Sequence, residues 1–426
     1  MAEHLTAVNE IYNSKSGELS GILLGCLHQK TAFFPEDKLT QLSEGKWEQL
    51  IQLAIEHRIA PIFYERLISN YDLPAASENA VEKLKAYNKE VAFKNLIYTN
   101  EFQKLLVRFN EENIPVIPLK GIYLAAKVYP HKGLRDMLDM DLMVHKHDLQ
   151  RVYEILMDHG FSHDENLDFE TVLNKQSHHI IPLTKGPQII EIHWNITRPG
   201  RFYYISPDKL WQRSRVTEFE ACKITELSPE DFLLHLCVHN SYQHNFSFGL
   251  RPYYDIVQVV DYFGDSLNWQ QLLEITNHNN WNKGVFLSLL IAKRLLGANI
   301  SEEKLKELEP LDFTHEIYET ALLQVVTSMK ESYSVPNTMV TILSENDRTE
   351  TKLKSFADHI FISKSSMAAR YEVSRSSPMI YFYYITRFFR LSFKYVFSIS
   401  NKPLGRNSFV NILNRKKALG HWIREG

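Results

Sequence analysis

Cysteine is scarce in this sequence, and long apolar runs are missing. The chain has three cysteines in 426 residues, and no two of them form a Cys-x-x-Cys pair. This excludes a disulfide framework and a Cys-x-x-Cys zinc site. No eighteen charge-free apolar residues run together, so the sequence predicts no membrane-spanning helix. The first thirty residues lack a basic segment followed by an apolar run, which predicts no secretory signal and a cytoplasmic location.

The composition is that of an ordinary globular protein, but the charge is unevenly distributed. Hydrophobic residues make up 44% and charged residues 23% of the chain. From residue 370 to residue 426, eleven basic residues face two acidic ones, a local charge of +9. The net charge of −3 then leaves −12 for the remainder of the chain. This polarity predicts an anionic partner for the tail, or a tail that docks on the chain's own acidic body.

Hydrophobic periodicity divides the chain into four regions. Residues 1–113 read as helical, residues 114–200 as a small mixed β/α unit, and residues 201–345 as helical again. Residues 346–426 read as a basic, aromatic helical tail. The fold class predicted is therefore α+β, with a small mixed sheet embedded in a mainly helical protein.

The mixed unit is defined by short apolar runs bounded by glycine and proline. We predict strands at 116–119 and 140–144 and a hairpin whose arms, 178–183 and 188–194, flank the turn residues Gly186 and Pro187. Pro118 lacks an N–H, so its strand is expected to be short or at a sheet edge. Helices are predicted at 122–129 and 148–158.

Three acidic residues in this unit are candidate metal ligands. On a strand, Asp139 and Asp141 face the same way, and two neighbouring carboxylates repel unless a cation lies between them. Glu191 sits in the middle of an apolar strand, where a carboxylate is costly unless it is paired or binds metal. If the strands are adjacent, the three acids can hold two Mg²⁺ ions.

The order of these motifs resembles the nucleotidyltransferase fold related to DNA polymerase beta. More closely, the sequence resembles the bacterial uncharacterised nucleotidyltransferase family over about 45–265. The resemblance rests on Leu119-Lys120-Gly121, Tyr129-Pro130, Arg135, Asp139-Met140-Asp141 and Glu191-Ile192-His193-Trp194, with further matches around Trp47 and in Leu236-Cys237-Val238-His239, Leu250-Arg251 and Asp255.

The resemblance implies both an activity and roles for residues. Asp139, Asp141 and Glu191 would hold two Mg²⁺ ions, while Lys120, Gly121 and Arg135 would contact the phosphates of an NTP, with ATP favoured. The protein would transfer a nucleoside monophosphate to a hydroxyl acceptor, with a small molecule or biosynthetic intermediate favoured. Lys120 and Ile122 flank Gly121 where the wider superfamily has Gly-Ser, so a nucleotide-binding protein without turnover is the alternative.

Several other residues have two interpretations. His235 and His239 have the i, i+4 spacing of zinc ligands, but the glutamate of a His-Glu-x-x-His motif is absent, which favours a structural or substrate-facing role. His193 either orients substrate or hydrogen-bonds Glu191. Arg251 either contacts phosphate or substrate, as the resemblance implies, or pairs with Asp255 one helical turn away.

Two further features, one in a loop and one in the tail, also have more than one interpretation. Asp136 is interpreted as a loop residue able to pair with its neighbour Arg135. The basic, aromatic segment 379–397, with Arg387, Arg390 and Lys394 on one stripe, predicts either peripheral membrane contact or docking on the protein's own acidic domain. Single-stranded nucleic acid is less favoured, because no recognisable RNA-binding module accompanies the segment.

Overall fold

The computed structural model describes most of the chain, namely residues 17–71, 77–163, 178–327, 377–388 and 406–424, with the single positions Phe169, Leu173 and Met367. Helices dominate these residues, and they surround a mixed sheet of four strands. The predicted α+β class is confirmed. In the residues described, every helix is too short or too polar to cross a bilayer.

The amino-terminal part is a layer of helices that ends in one long helix. Its members are α1 (Glu18–Leu27), α2 (Glu36–Thr40), α3 (Glu44–Glu56), α4 (Ala60–Asn70) and α5 (Glu78–Glu111). In α3 one apolar stripe is the buried face, with Trp47, Leu50, Ile51 and Ala54 in the core. Pro61 lies in the first turn of α4, where its missing N–H costs no hydrogen bond.

The mixed unit follows. Its elements are β1 (Ile117–Pro118), α6 (Lys120–Tyr123) running into a π-helix (Leu124–Val128), β2 (Met140–Met143), α7 (Leu149–Asp158), β3 (Leu183–Lys185) and β4 (Gln188–His193). The strand order is β1-β2-β4-β3, with β2 and β4 parallel and the other two pairs antiparallel. β1 is two residues long and lies at the sheet edge, as Pro118 led us to expect.

The hairpin is also present around Gly186, but its first arm is shorter and later than predicted. β3 covers Leu183–Lys185, and of the predicted arm 178–183 only His179 makes an isolated bridge to His193. Pro182 explains the difference, because it has no N–H to donate to a ladder.

A second hairpin was not predicted. β5 (Arg215–Phe219) and β6 (Cys222–Glu226) pair in antiparallel fashion around Glu220, which has a φ of +53°. β6 lies beside β1, and the amide of Thr225 donates to the carbonyl oxygen of Val116 at 2.9 Å. Sequence reasoning placed only helices in this region because Glu220-Ala221 carries neither the asparagine nor the glycine that usually marks such a turn.

Helices complete the carboxyl-terminal part. They are α8 (Pro207–Arg213), α9 (Pro229–Val238) continuing into a π-helix (His239–Gln243), α10 (Arg251–Phe263), α11 (Trp269–His278), α12 (Asn282–Leu296), α13 (Glu302–Leu308), α14 (His315–Val326) and α15 (Arg406–Arg424). Ser228 caps α9, since its hydroxyl accepts from the amide of Asp231 at 3.1 Å. Residues 379–388 are also helical.

Two apolar cores lie on either side of the sheet. Met140 and Leu142 of β2 and Ile190 and Ile192 of β4 pack into a core shared with α5 and α7. The larger core unites α1, α3 and α4 with α9, α10, α12 and α14. Side chains alternate between the two faces of a strand. The residues that alternate with these four therefore project their side chains from the opposite face, toward the larger helical core.

Candidate active site

The acidic stretches meet on adjacent parallel strands. Asp141 of β2 lies directly opposite Glu191 of β4 in their register. His193, two residues beyond Glu191, shares their face, and Asp139 precedes β2 on the same side. The structure therefore brings together acids that lie fifty residues apart in the sequence.

Asp141 is buried and held by two cationic partners. Its Oδ1 accepts from Lys120 Nζ at 3.0 Å and lies 2.9 Å from His193 Nε2. Burial would raise the pKa of this carboxyl, but Lys120 and His193 outweigh burial and hold the pKa well below its usual range. Asp141 is therefore ionised at neutral pH and can act as a ligand.

His193 links the two acids. Its Nε2 lies 3.5 Å from Glu191 Oε2 as well as close to Asp141, and these contacts raise the pKa of the imidazole against the effect of burial. Ligand atoms of Asp141, Glu191 and His193 lie within 4.8 Å of one another. Of the two sequence interpretations of His193, hydrogen bonding to the acids is the one seen.

Two carboxylates and an imidazole in its neutral form fit a divalent cation, since Mg²⁺ and Mn²⁺ prefer carboxylate oxygens and imidazole suits Zn²⁺ and Fe²⁺. This group includes His193 and omits Asp139, unlike the expected trio of acids. Asp139 stands beside it, where burial first and the charge of Asp141 second raise its pKa to about 6. A carboxyl with a raised pKa beside another acid is what an added cation would stabilise in its ionised form.

Lys120 and Gly121 form the turn into α6. Lys120 has a φ of +34°, a left-handed conformation that is strained for a side chain with a Cβ, and it is the residue that reaches Asp141. A Cβ on residue 121 would lie 2.9 Å from Arg135 Nη1 and 3.3 Å from the Asp139 carbonyl oxygen. Glycine is needed here because the loop that carries Asp139 packs directly on this turn.

Arg135 has a different setting from the one expected. Its Nε and Nη2 each donate to a carboxylate oxygen of Asp255 at 2.9 Å, and Tyr129 donates to the same carboxylate at 2.7 Å. All three side chains are buried. Arg135 thereby fixes the loop before β2 to α10, and it lines the acidic cavity through the rest of its side chain.

Asp136 does not pair with Arg135. It is buried, and its carboxylate accepts from Lys94 Nζ at 2.6 Å and from Tyr87 at 2.9 Å, with Arg58 Nη1 at 3.4 Å. Although burial acts in the other direction, these cations lower its pKa. The residue therefore anchors the loop to α5, a role that sequence reasoning missed because its partners lie about 40 and 80 residues away.

Arg251 does not pair with Asp255, which is taken by Arg135. Its Nη1 donates to the carbonyl oxygen of Asp136 at 2.8 Å, while its buried Nε has no partner among the residues described. Desolvation first and the nearby Arg135 second lower the pKa of the guanidinium. A buried cation with an unused donor, lining a cavity that also holds acids, is suited to contact an anionic ligand.

Histidines line the helical side of the site. The π-helix carries His239, whose Nε2 lies 3.2 Å from His244 Nε2, and Phe248 stacks on His239. Burial is the main reason that the pKa of His239 lies well below its ordinary value and that the pKa of His244 falls to about 3. His235 is buried, with both ring nitrogens unpartnered among the described residues. These rings are neutral donors or acceptors, which agrees with a structural or substrate-facing role.

A cavity of about 530 Å³ joins these groups. Its floor is formed by Lys120, Gly121, Asp139, Asp141, Glu191 and His193, and its helical wall includes His239 and Arg251. Around it also lie residues that were not predicted to belong to the site: His178, His179, Arg198, Arg201, Phe202, Tyr203, Tyr242, His244, Gly420 and Arg424. A signal for the loop was present in Arg198-Pro199-Gly200-Arg201, a Pro-Gly turn with flanking cations.

The carboxyl-terminal helix α15 docks on the helical body. Trp422 is buried, Lys283 Nζ donates to its carbonyl oxygen at 3.0 Å, and Asn245 Nδ2 donates to the carbonyl oxygen of Lys416 at 2.7 Å. For this part of the tail, docking on the chain's own body is the arrangement seen.

Only part of the predicted membrane segment is described. In 379–388, Arg387 is buried while Tyr381 and Phe382 are exposed, and Arg390 and Lys394 lie outside the described residues. The contact with a membrane stays a prediction.

Comparison with known proteins identifies a family for this chain. The model of a family described as uncharacterised nucleotidyltransferase matches residues 43–297, which is more than half of the chain. No curated protein and no solved structure matches significantly. The match covers α3 to α12, and thus every acid of the site, while α15 lies beyond it. The chain belongs to the uncharacterised nucleotidyltransferase family.

Proposed function

We propose that this protein transfers a nucleoside monophosphate from an NTP, with ATP favoured, to a hydroxyl group of a small molecule or biosynthetic intermediate. Two Mg²⁺ ions would assist. The observation that carries the proposal is the register of the sheet, which sets Asp141 beside Glu191 on the floor of a cavity with Asp139 at its edge. The family match supports the same class of reaction.

The acids and cations of the floor have complementary tasks. Divalent cations held by Asp139, Asp141 and Glu191 would neutralise phosphate charge and acidify the attacking hydroxyl. Asp141 is kept ionised by Lys120 and His193, so it needs no deprotonation at neutral pH. We assign the contacts with the NTP phosphates to Lys120 and Arg251, since two nitrogens of Arg135 already donate to Asp255. Arg135 is then a positioning residue for the loop that carries Asp139.

The reaction itself needs mainly orientation and charge neutralisation. The acceptor oxygen forms a bond to the α-phosphorus, and the bond from that phosphorus to the oxygen leading to the β-phosphorus breaks. Pyrophosphate leaves with the electron pair of the broken bond. The proton of the acceptor hydroxyl passes to Glu191, whose side chain is less buried than that of Asp141 and borders the cavity.

A second candidate is a nucleotide-binding protein without turnover. One observation favours it: the Lys120 ammonium group already neutralises Asp141 at 3.0 Å. Lys120 would have to share that carboxylate with an incoming cation for catalysis to proceed. The two functions differ in turnover and agree in nucleotide binding.

Pyrophosphate release distinguishes the two candidates. The protein is incubated with each NTP, Mg²⁺ or Mn²⁺, and a panel of sugars, sugar phosphates and other alcohols, and nucleotide binding is measured in parallel. We expect metal-dependent release that Asp141→Asn lowers by roughly a hundredfold or more, because losing a ligand costs several kcal/mol of charge stabilisation.

Asp158→Asn is the matched control, since Asp158 is an exposed acid at the end of α7 that does not line the cavity. It should leave release unchanged. Nucleotide binding without release under any condition would favour the non-catalytic candidate, and equal losses in the two variants would rule out a special role for Asp141.

A further inference from the structure

Three arginines stand together at the rim of the cavity. Arg198 and Arg201 come from the loop after β4, and Arg424 comes from the last turn of α15. All three are exposed and line the same cavity as the acids. The rim therefore combines a loop of the sheet unit with a helix from the far end of the chain.

These arginines have no carboxylate partner among the residues described. By contrast, most of the other arginines whose side chains are described form ion pairs. All three rim arginines line the cavity together with Tyr203. Burial raises the pKa of the Tyr203 phenol, and the charges of Arg201, Arg198 and Arg424 oppose that rise. Cations gathered without a counter-charge repel one another, and a bound anion would relieve the repulsion.

The surface beside the arginines is aromatic. The rings of Phe202 and Tyr203 lie 5.2 Å apart, and Tyr242 contacts both, at 5.6 Å and 5.2 Å. Phe202 is 44% exposed and meets both tyrosine rings edge-on, at interplanar angles of 89° and 74°. Its exposed ring provides an apolar contact for the body of a ligand whose anionic group binds the guanidinium groups.

We propose that this arginine rim is the acceptor subsite and that the acceptor is a hydroxyl compound carrying a phosphate or carboxylate group. The identification of this site as the acceptor subsite rests on the proposed function. The presence of an anion site at the rim does not depend on it. Lys120 and Arg251 already place two cations beside the acids, where the reacting phosphates must lie. The rim is a separate cationic cluster, and it fits a second anion.

Anion binding is tested without turnover. The nucleotide site is saturated with Mn²⁺ and a non-hydrolysable ATP analogue, and inorganic phosphate or malonate is then titrated in by calorimetry. Titrations without nucleotide are run in parallel, so that a protein unable to bind nucleotide still reports on the rim. We expect one anion site when the nucleotide is bound, and a second one at Lys120 and Arg251 when it is absent. Only the rim site should be weakened, at least fivefold, in each of Arg198→Ala, Arg201→Ala and Arg424→Ala.

Two control measurements show whether the anion binds at the arginine rim. Arg108→Ala removes a half-exposed arginine of α5 that does not line the cavity, and it should leave anion affinity within twofold of the parent. Affinity for the ATP analogue should also stay within twofold in the three rim variants. Phosphate and malonate arms show which anionic group is preferred.

The outcomes separate the two proposals. No anion binding, or equal weakening by Arg108→Ala, would overturn the rim site. If the rim variants weaken the ATP analogue as much as phosphate, the rim serves the triphosphate and the acceptor assignment is wrong. Anion binding that depends on the rim in a protein that never binds nucleotide would support the rim while the proposed function fails.

Discussion

The buried charge of Arg135 is paired with a carboxylate from a distant part of the chain. Its guanidinium donates twice to Asp255, and the pair joins the loop before β2 to α10. Asp136 next door makes an equivalent link to α5 through Lys94 and Tyr87. Together the two neighbours fix the loop that places Asp139 at the cavity, because each is held by a different helix.

Removing one member of the first pair should be costly. We expect Asp255→Asn or Arg135→Met to lower the free energy of unfolding by about 3–5 kcal/mol, since each leaves an uncompensated buried charge. The double variant Arg135→Met with Asp255→Asn should lose less than the sum of the single losses. Urea unfolding measures all three, and strictly additive losses would show that the contact contributes no coupling.

His57 provides a pH-dependent term in stability. It is buried in the amino-terminal core, where burial is the main cause that lowers its pKa to about 4. Above pH 6.5 it is neutral in both states. Below that, the unfolded chain takes up a proton that the folded protein resists until about pH 4, so stability falls as the pH falls.

His57→Gln should flatten this dependence. Between pH 7.5 and pH 4.5 we expect the parent to lose about 2–3 kcal/mol more than the variant, as the shift in pKa implies. Urea unfolding at both pH values gives the difference directly, because groups common to the two proteins cancel. Parallel losses in both proteins would contradict a neutral, buried His57.

At this scale the sequence identified the acids but not their partners. Asp139, Asp141 and Glu191 were recognisable from spacing on predicted strands and from a charge inside an apolar run. The pairing of Arg135 with Asp255, 120 positions away, carries no local signal. The interpretation in which Arg251 pairs with Asp255, one of the two left open, was wrong for this reason, because Arg135 holds that carboxylate.

Among the elements, the π-helix 239–243 decides the shape of the cavity wall. Its Tyr242 lines the cavity, while the Tyr242 hydroxyl donates to the carbonyl oxygen of Asn280 at 3.3 Å, and α12 approaches the π-helix very closely. A Cβ on Gly284 would come within 2.4 Å of both Ser241 Oγ and Tyr242 Cε2, and the Gly284 amide donates to the Tyr242 hydroxyl at 3.1 Å. Glycine is required because no side chain fits between these helices.

Gly284→Ala should therefore destabilise the protein by about 1–3 kcal/mol, as overpacking does in other cores. Gly45→Ala is the matched control: Gly45 lies in α3, and a Cβ there would contact nothing within 4 Å. That change should be neutral or stabilise by up to about 1 kcal/mol, because alanine favours a helix. Thermal unfolding of both variants checks the contrast, and equal effects would contradict the close approach.

The elements were predicted where local rules apply. Residues 201–345 were predicted to be helical, and α8 to α14 lie there, because caps and apolar stripes are encoded locally. The hairpin β5–β6 was missed because Glu220 adopts a positive φ without glycine or asparagine. The late start of β3 depended on Pro182 and on pairing with β4, which periodicity does not report.

On the scale of the molecule, opposite charges meet in one cavity. The sheet supplies acids at the floor, while the loop after β4 and α15 supply arginines at the rim. The charge polarity of the sequence indicated such an arrangement, with a basic tail on an acidic body, but not that the tail would border the acidic site. That last point depends on the packing of Trp422 and its neighbours against α12 and α14.

Anomalous diffraction from crystals soaked with Mn²⁺ and a non-hydrolysable ATP analogue tests the site most directly. We expect manganese peaks bound by Asp141 with Glu191 or Asp139, and triphosphate oxygens beside Lys120 and Arg251. Asp141→Asn crystals should lose the peak next to residue 141. Nucleotide bound elsewhere, or manganese absent from this cavity while Lys120 stays on Asp141, would contradict a catalytic metal site on these strands.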